Sequence, residues 1–178
     1  MLPPVTTETA PRSITVVERP KSVQTNIAIV RLGIDRRDPD YLKLAVTNDI
    51  LGVGAAGRLF MRLREEKSYT YGAYNTLDAS EYRGVIAGSS EIRTAVTEGA
   101  LDESFHEFTR LGAERVSDEE LERYRHAMVP SFALSLESPQ SLMSYVFTRV
   151  SNGFPAQYQR GGRLHAMRAH VLQRSDSF

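Results

Sequence analysis

Three glycines within six residues, Gly52, Gly54 and Gly57 of GVGAAG, separate two stretches whose apolar residues recur at helical spacing. In DPDYLKLAVTNDILG (38–52), Leu42, Ala45, Val46 and Ile50 fall on one side of a helix. Asp38 suits the cap, Pro39 the first helical position, and Gly52 the end. In RLFMRLREEK (58–67), Leu59, Phe60 and Leu63 repeat the pattern. The chain must turn sharply between two helices, and glycine permits the backbone angles such a turn needs. The same letters spell G-x-G-x-x-G, the loop that cradles a dinucleotide's pyrophosphate at a helix N-terminus. That loop needs a buried parallel strand just before its first glycine. Asn48-Asp49 stands there instead. Asp78 lies near the right distance for a ribose-binding acid, yet the helix–turn–helix reading accounts for more of the residues.

On either side of this segment the pattern is that of strands, then helices. SITVVER (13–19) is rich in β-branched residues and reads as a strand ended by Pro20. VQTNIAIVRLGI (23–34) alternates, with Val23, Thr25, Ile27, Ile29 and Arg31 to one side and Asn26, Ala28 and Val30 to the other. It reads as a strand buried mainly in its C-terminal half. TYGAYNTLDA (70–79) and RGVIAGSSEI (83–92) form a hairpin across SEY. Then come three helices, at 94–112, 117–137 and 139–153. Ser117 with Glu120 makes a capping box, and Pro130 should kink the second of the three. Two strands, two helices, two strands and three helices predict an α+β domain: a two-layer sandwich, its antiparallel or mixed sheet covered by helices on one face. Residues 1–12 read as a linker or frayed end.

The bulk properties exclude more than they select. A length of 178 residues suits one domain with a real core. The formal net charge is zero, so no basic face for nucleic acid is indicated. There is no cysteine, which excludes disulfides and thiolate metal sites. No run is apolar over the roughly 20 residues a membrane helix needs. MLPPVTTETAPRS carries neither a basic n-region nor an apolar h-region, so no signal peptide is read. The four histidines, His106, His126, His165 and His170, form no H-E-x-x-H, H-x-x-E-H or i, i+4 pair, and read as solvent-facing or packed. No G-x-S-x-G elbow is present. Residue chemistry alone shows no catalytic machinery.

LGVGAAGRLFMRLREEKSYTYGAY (51–74) closely resembles the C-terminal half-domain of the insulinase/pitrilysin family of zinc metallopeptidases, to which the mitochondrial processing peptidases belong. The resemblance extends through ITVVERPKSVQTNIAIVRLGIDRRDPDYLKLAVTNDILG (14–52) and VSDEELERYRHAMVPSFALSLESPQSLMSYV (116–146), and covers residues 13–158. It implies the metallohydrolase half-domain fold of the processing-peptidase type. In that family two halves face each other like a clam. One carries H-x-x-E-H and zinc, a motif absent here. The other supplies an Arg and a Tyr spaced R-x6-Y. The resemblance places these at Arg64 and Tyr71, and places the glycine turn, Gly52, Gly54 and Gly57, near the substrate. By their residue types alone, Arg64 is an exposed helix residue among like neighbours and Tyr71 a strand aromatic.

The implied function is that of the zinc-free half of a metallopeptidase, binding unfolded peptide and stabilising the transition state of its hydrolysis. No metal or cofactor is expected in this chain. Zinc is expected in a partner half bearing H-x-x-E-H on another chain, with no nucleic acid or membrane involved. The rival readings are a non-catalytic interaction module and a truncated remnant. The resemblance implies a periplasmic setting, whereas the chain taken as complete implies the cytoplasm. It fades after Tyr158. QRGGRLHAMRAHVLQRSDSF (159–178) has four arginines and one acid and lacks the family's last strand, which suggests a truncated or frame-shifted tail.

Overall fold

The computed structural model describes residues 13–17, 21–79 and 84–155. Its elements are β1 (Gln24–Leu32), α1 (Tyr41–Gly52), α2 (Arg58–Phe60) running straight into a π-helical stretch (Met61–Glu66), β2 (Thr70–Asp78), β3 (Val85–Arg93), a 3-10 turn (Thr94–Val96), α3 (Thr97–Ala113), α4 (Asp118–Ser135) and α5 (Pro139–Ser151). The strands form one antiparallel sheet in the order β1-β3-β2. Helices cover one of its faces, as the alternation of β1 requires. Ile27 is buried and Ile29 partly so, while Gln24, Asn26, Ala28 and Val30 are exposed.

Among the described residues, two apolar clusters hold the layers together. Ile27, Ala73 and Ile92 of the sheet pack on Leu51, Leu59, Leu63 and Ala100 of the helices. Val46 and Ile50 of α1 pack on Leu121 and Tyr124 of α4. Between the layers, Asn75 Nδ2 of β2 donates to Asn48 Oδ1 of α1 at 2.8 Å, both side chains buried. Asn48 therefore faces inward from a helix, which agrees with the reading that set the nucleotide loop aside.

Several expectations need correction. Residues 13–17 form no strand, and Ile14, Val16 and Val17 are exposed. β-branched residues favour a strand only when a neighbouring strand is there to pair with. The C-terminal half of β1 is not buried. Val30 and Leu32 point to the face that no described helix covers and are 61% and 56% exposed. Helix α1 starts at Tyr41. Asp38 accepts instead from the backbone of Asp40 at 2.8 Å, so it builds the turn before the helix. Only half of the capping box forms. Ser117 Oγ accepts from Glu120 N at 3.2 Å, while the Glu120 carboxylate is engaged by Arg58. The connection at 80–83 and the tail at 159–178 lie outside the described residues.

That Arg58–Glu120 contact joins α4 to the start of α2. The guanidinium is 8% exposed and donates Nε and Nη2 to the two carboxylate oxygens at 2.9 and 2.7 Å. Two parallel charge-assisted bonds of this kind are among the stronger polar contacts available. Their loss would leave Arg58 buried without a counter-charge, and Glu120→Gln should lower unfolding stability by about 2–3 kcal/mol in a denaturant titration. The bond from Arg58 holds the Glu120 carboxyl below its ordinary range. Its stabilising effect is thus complete above the unfolded carboxylate pKa and is lost as pH falls through the lowered folded value. The stability gap between wild type and E120Q should accordingly shrink below about pH 4.

Candidate functional site

The glycine run forms the turn between α1 and α2. Gly54 has φ +73°, a left-handed conformation that glycine adopts without steric cost. Gly52 is glycine because β2 passes against it. A Cβ there would lie 2.3 Å from the Asn75 backbone nitrogen. Helix α4 pins the turn from the other side, since the Tyr124 hydroxyl donates to Ala56 O at 2.7 Å. Burial and the neighbouring Glu120 carboxylate push its pKa up to about 12. Tyr124 thus remains a donor throughout the range in which the protein would be studied.

From this turn the helix runs to Arg64. Its last part is π-helical, with Lys67 N donating to Arg62 O at 3.2 Å, an i→i+5 bond. Ser68 then takes φ +53°, which is uncommon for a residue with a side chain. It turns the chain from the helix into β2. β2 contains a bulge, because Thr70 pairs with Ile92 and Ala73 with Ser90, three residues against two. The Thr70 hydroxyl closes the bulge: it accepts from Gly72 N at 3.1 Å and lies within hydrogen-bond reach of the Glu91 and Gly72 carbonyls, with one proton to give, and Ser90 Oγ donates to Gly72 O at 3.0 Å.

The bulge decides where the tyrosines point. In a regular strand, residues three apart face opposite ways. With the extra residue, Tyr71 and Tyr74 both stand clear of the core, Tyr71 at 93% exposure. Gly72 leaves room for the Tyr74 ring, whose hydroxyl oxygen lies 2.6 Å from where a Gly72 Cβ would be.

Arg64 and Tyr71 line the same open cleft of about 560 Å³. Its walls also include Gln24 of β1, Ser68, and Glu91 and Arg93 of β3. Tyr71 further borders a second cleft, about 510 Å³, with Asn26, Tyr74 and Ser89. Arg64 pairs with Glu65 and lies over the Phe60 ring at 5.2 Å. Such an exposed pair is weak, so the guanidinium can exchange Glu65 for a ligand carbonyl at little cost. Gly52, Gly54 and Gly57 do not line this cleft. Gln24, Glu91 and Arg93 were not singled out from sequence. They lie far along the chain from Arg64, and only the strand register reveals them.

Among the described residues, no group of three or more His, Asp or Glu side chains is arranged to hold a metal. His106 and His126 are exposed, each within 3.6–3.8 Å of one neighbouring glutamate. His165 and His170 lie outside the described residues.

The family model described as the peptidase M16 inactive domain matches residues 1–128. An uncharacterised zinc protease of Bacillus subtilis, YmxG, is 26% identical over 135 residues, or 72% of this chain and 32% of its own. Among solved structures, a peptidase M16 inactive domain from Pseudomonas fluorescens aligns with a TM-score of 0.77 at 26% identity, over 84% of this chain and 36% of its own. A protease from Helicobacter pylori shares the fold at a TM-score of 0.75 and 15% identity, over 84% of this chain and 36% of its own. The chain thus spans about a third of the length of these relatives.

The glycine turn yields a direct test of the packing described above. Gly52→Ala should cost at least about 2 kcal/mol, because its methyl group meets backbone that cannot yield cheaply. Gly112→Ala is the control. Its Cβ meets nothing within 4 Å, and it should be neutral or gain up to about 1 kcal/mol. Thermal denaturation of the two variants separates close approach from glycine content as such.

Proposed function

Because the chain belongs to the peptidase M16 inactive-domain family, we propose that it serves as the zinc-free half of a metallopeptidase and contacts peptide substrate through Arg64 and Tyr71. One observation carries this reading. Arg64 from the π-helical segment and Tyr71 from the bulged strand, seven residues apart in sequence, line one cleft that is open to solvent.

Zinc held by a partner half would supply the activated water. This chain's side chains bind the peptide and meet the charge that develops on it. The Tyr71 hydroxyl donates a hydrogen bond to the scissile carbonyl oxygen as negative charge gathers there. Arg64 donates its forked N–H groups to main-chain carbonyls and fixes the peptide's register. The exposure of both groups suits this, since neither is committed to the core. The glycines 52, 54 and 57 act through the turn that sets where the Arg64 helix begins. The partner is a half-domain bearing H-x-x-E-H, and the substrate is an unfolded peptide.

The test is co-purification of the tagged chain from its host, followed by assay of any H-x-x-E-H protein it captures. Tyr71→Phe should lower kcat of the pair on the order of 100- to 1,000-fold, the usual loss for one oxyanion donor. Arg64→Ala should act mainly by raising KM. The chain alone should show no EDTA-sensitive cleavage of casein. Wild-type activity in both variants, or metal-dependent cleavage by the chain alone, would overturn the reading.

A further inference from the structure

The Arg64 helix ends in an unusual register. A π-helical stretch is rare, so a six-residue one calls for an outside contact that favours it. Glu103 of α3 is such a contact. Its Oε2 accepts from Arg62 Nε at 2.6 Å, and its Oε1 accepts from Lys67 Nζ at 2.7 Å. One carboxylate thereby grips both ends of the π turn.

The spacing is what makes the grip selective. Arg62 and Lys67 are five residues apart. In an α-helix, with about 3.6 residues per turn, side chains five apart diverge by more than a third of a turn. In a π turn, i→i+5 bonding stacks the second nearly over the first. The backbone bond from Lys67 N to Arg62 O joins the same two residues whose side chains meet at Glu103. Lys67 first, and then Arg62, hold the Glu103 carboxyl below its ordinary range, as bonds to the charged form should.

We infer that Glu103 is a positioning residue: by binding Arg62 and Lys67 together it holds this segment in its π register, and so sets where Arg64 lies in the cleft beside Tyr71. Glu103 itself does not line that cleft. A switch to α register would draw in one residue fewer per turn and rotate Arg64 about the helix axis relative to the strand that follows. The effect of this on peptide contact rests on the reading of Arg64 and Tyr71 given above. The effect on the turn does not.

The experiment uses the full chain, isotopically labelled, and reads each acceptor directly through NMR couplings across hydrogen bonds. In the wild type, the Lys67 amide should couple to the Arg62 carbonyl. In Glu103→Gln, that coupling should vanish or move to the Leu63 carbonyl, with the couplings in β3 unchanged. Persistence of the Arg62 coupling in E103Q overturns the inference and reduces Glu103 to a surface ion pair. Should E103Q fail to fold, Lys67→Gln removes one prong alone, and Arg62→Gln removes the other together with the Arg62–Glu66 pair. Each must weaken the coupling, and its survival in both overturns the inference equally. Anisotropy of a fluorescein-labelled unstructured peptide pool, read on the same samples, should show roughly tenfold weaker binding to E103Q. A shifted turn with unchanged binding would support the role of Glu103 and sink the reading of Arg64 as a peptide contact.

Discussion

The Arg58–Glu120 pair ties together parts of the chain that are otherwise independent. Arg58 is the first residue of α2, immediately after the glycine turn, and Glu120 lies in the first turn of α4. With Tyr124 bonded to Ala56 one helical turn further on, α4 fixes both the end of the glycine turn and the beginning of the next helix. The helix that follows starts from that placement, and it carries Leu63 into the core. A half-buried charge pair is a modest source of net stability. Its value here is geometric, because it converts the position of one helix into the position of the next.

Much of the fold was legible in the residues, and the reasons are specific. The apolar spacing of α1 and the capping serine of α4 are local signals, and local signals survive folding. Asn48-Asp49 argued against a strand before the glycines, and Asn48 proved to be an inward-facing helix residue bonded to Asn75. SITVVER misled because strand propensity describes how a residue fits beside a neighbour, and the described structure gives residues 13–17 no neighbouring strand. The burial of β1 was overestimated at Val30 and Leu32 for a related reason. Alternation shows which residues share a face, but not whether anything covers it.

The cleft was less legible. Arg64 and Tyr71 stand out only through resemblance, since an arginine among charged helix residues and a tyrosine in a strand are ordinary. The two irregularities that shape the cleft each depend on one extra residue, in the helix before Lys67 and in the strand between Thr70 and Ala73. Periodicity cannot reveal either, because each irregularity falls within a few residues, too short a stretch to show a shift of phase. Glu103 belongs to the same class. It reads as a solvated residue on α3 until the tertiary structure brings it onto Arg62 and Lys67.

Helix α5 has no buried residue among those described, and Met143, Phe147 and Val150 are 73%, 73% and 67% exposed. It has 13 residues, a length at which an isolated helix is marginal in water. Its start is well made, with Pro139 in the first turn and Ser138 Oγ accepting from Ser141 N. Its far end is tied by the Arg37 side chain, which donates to Asn152 O at 3.1 Å. In terms of time, α5 lives by a different clock from the rest. Its amides should exchange through local helix–coil opening, while those of β3 wait for the whole sheet to come apart.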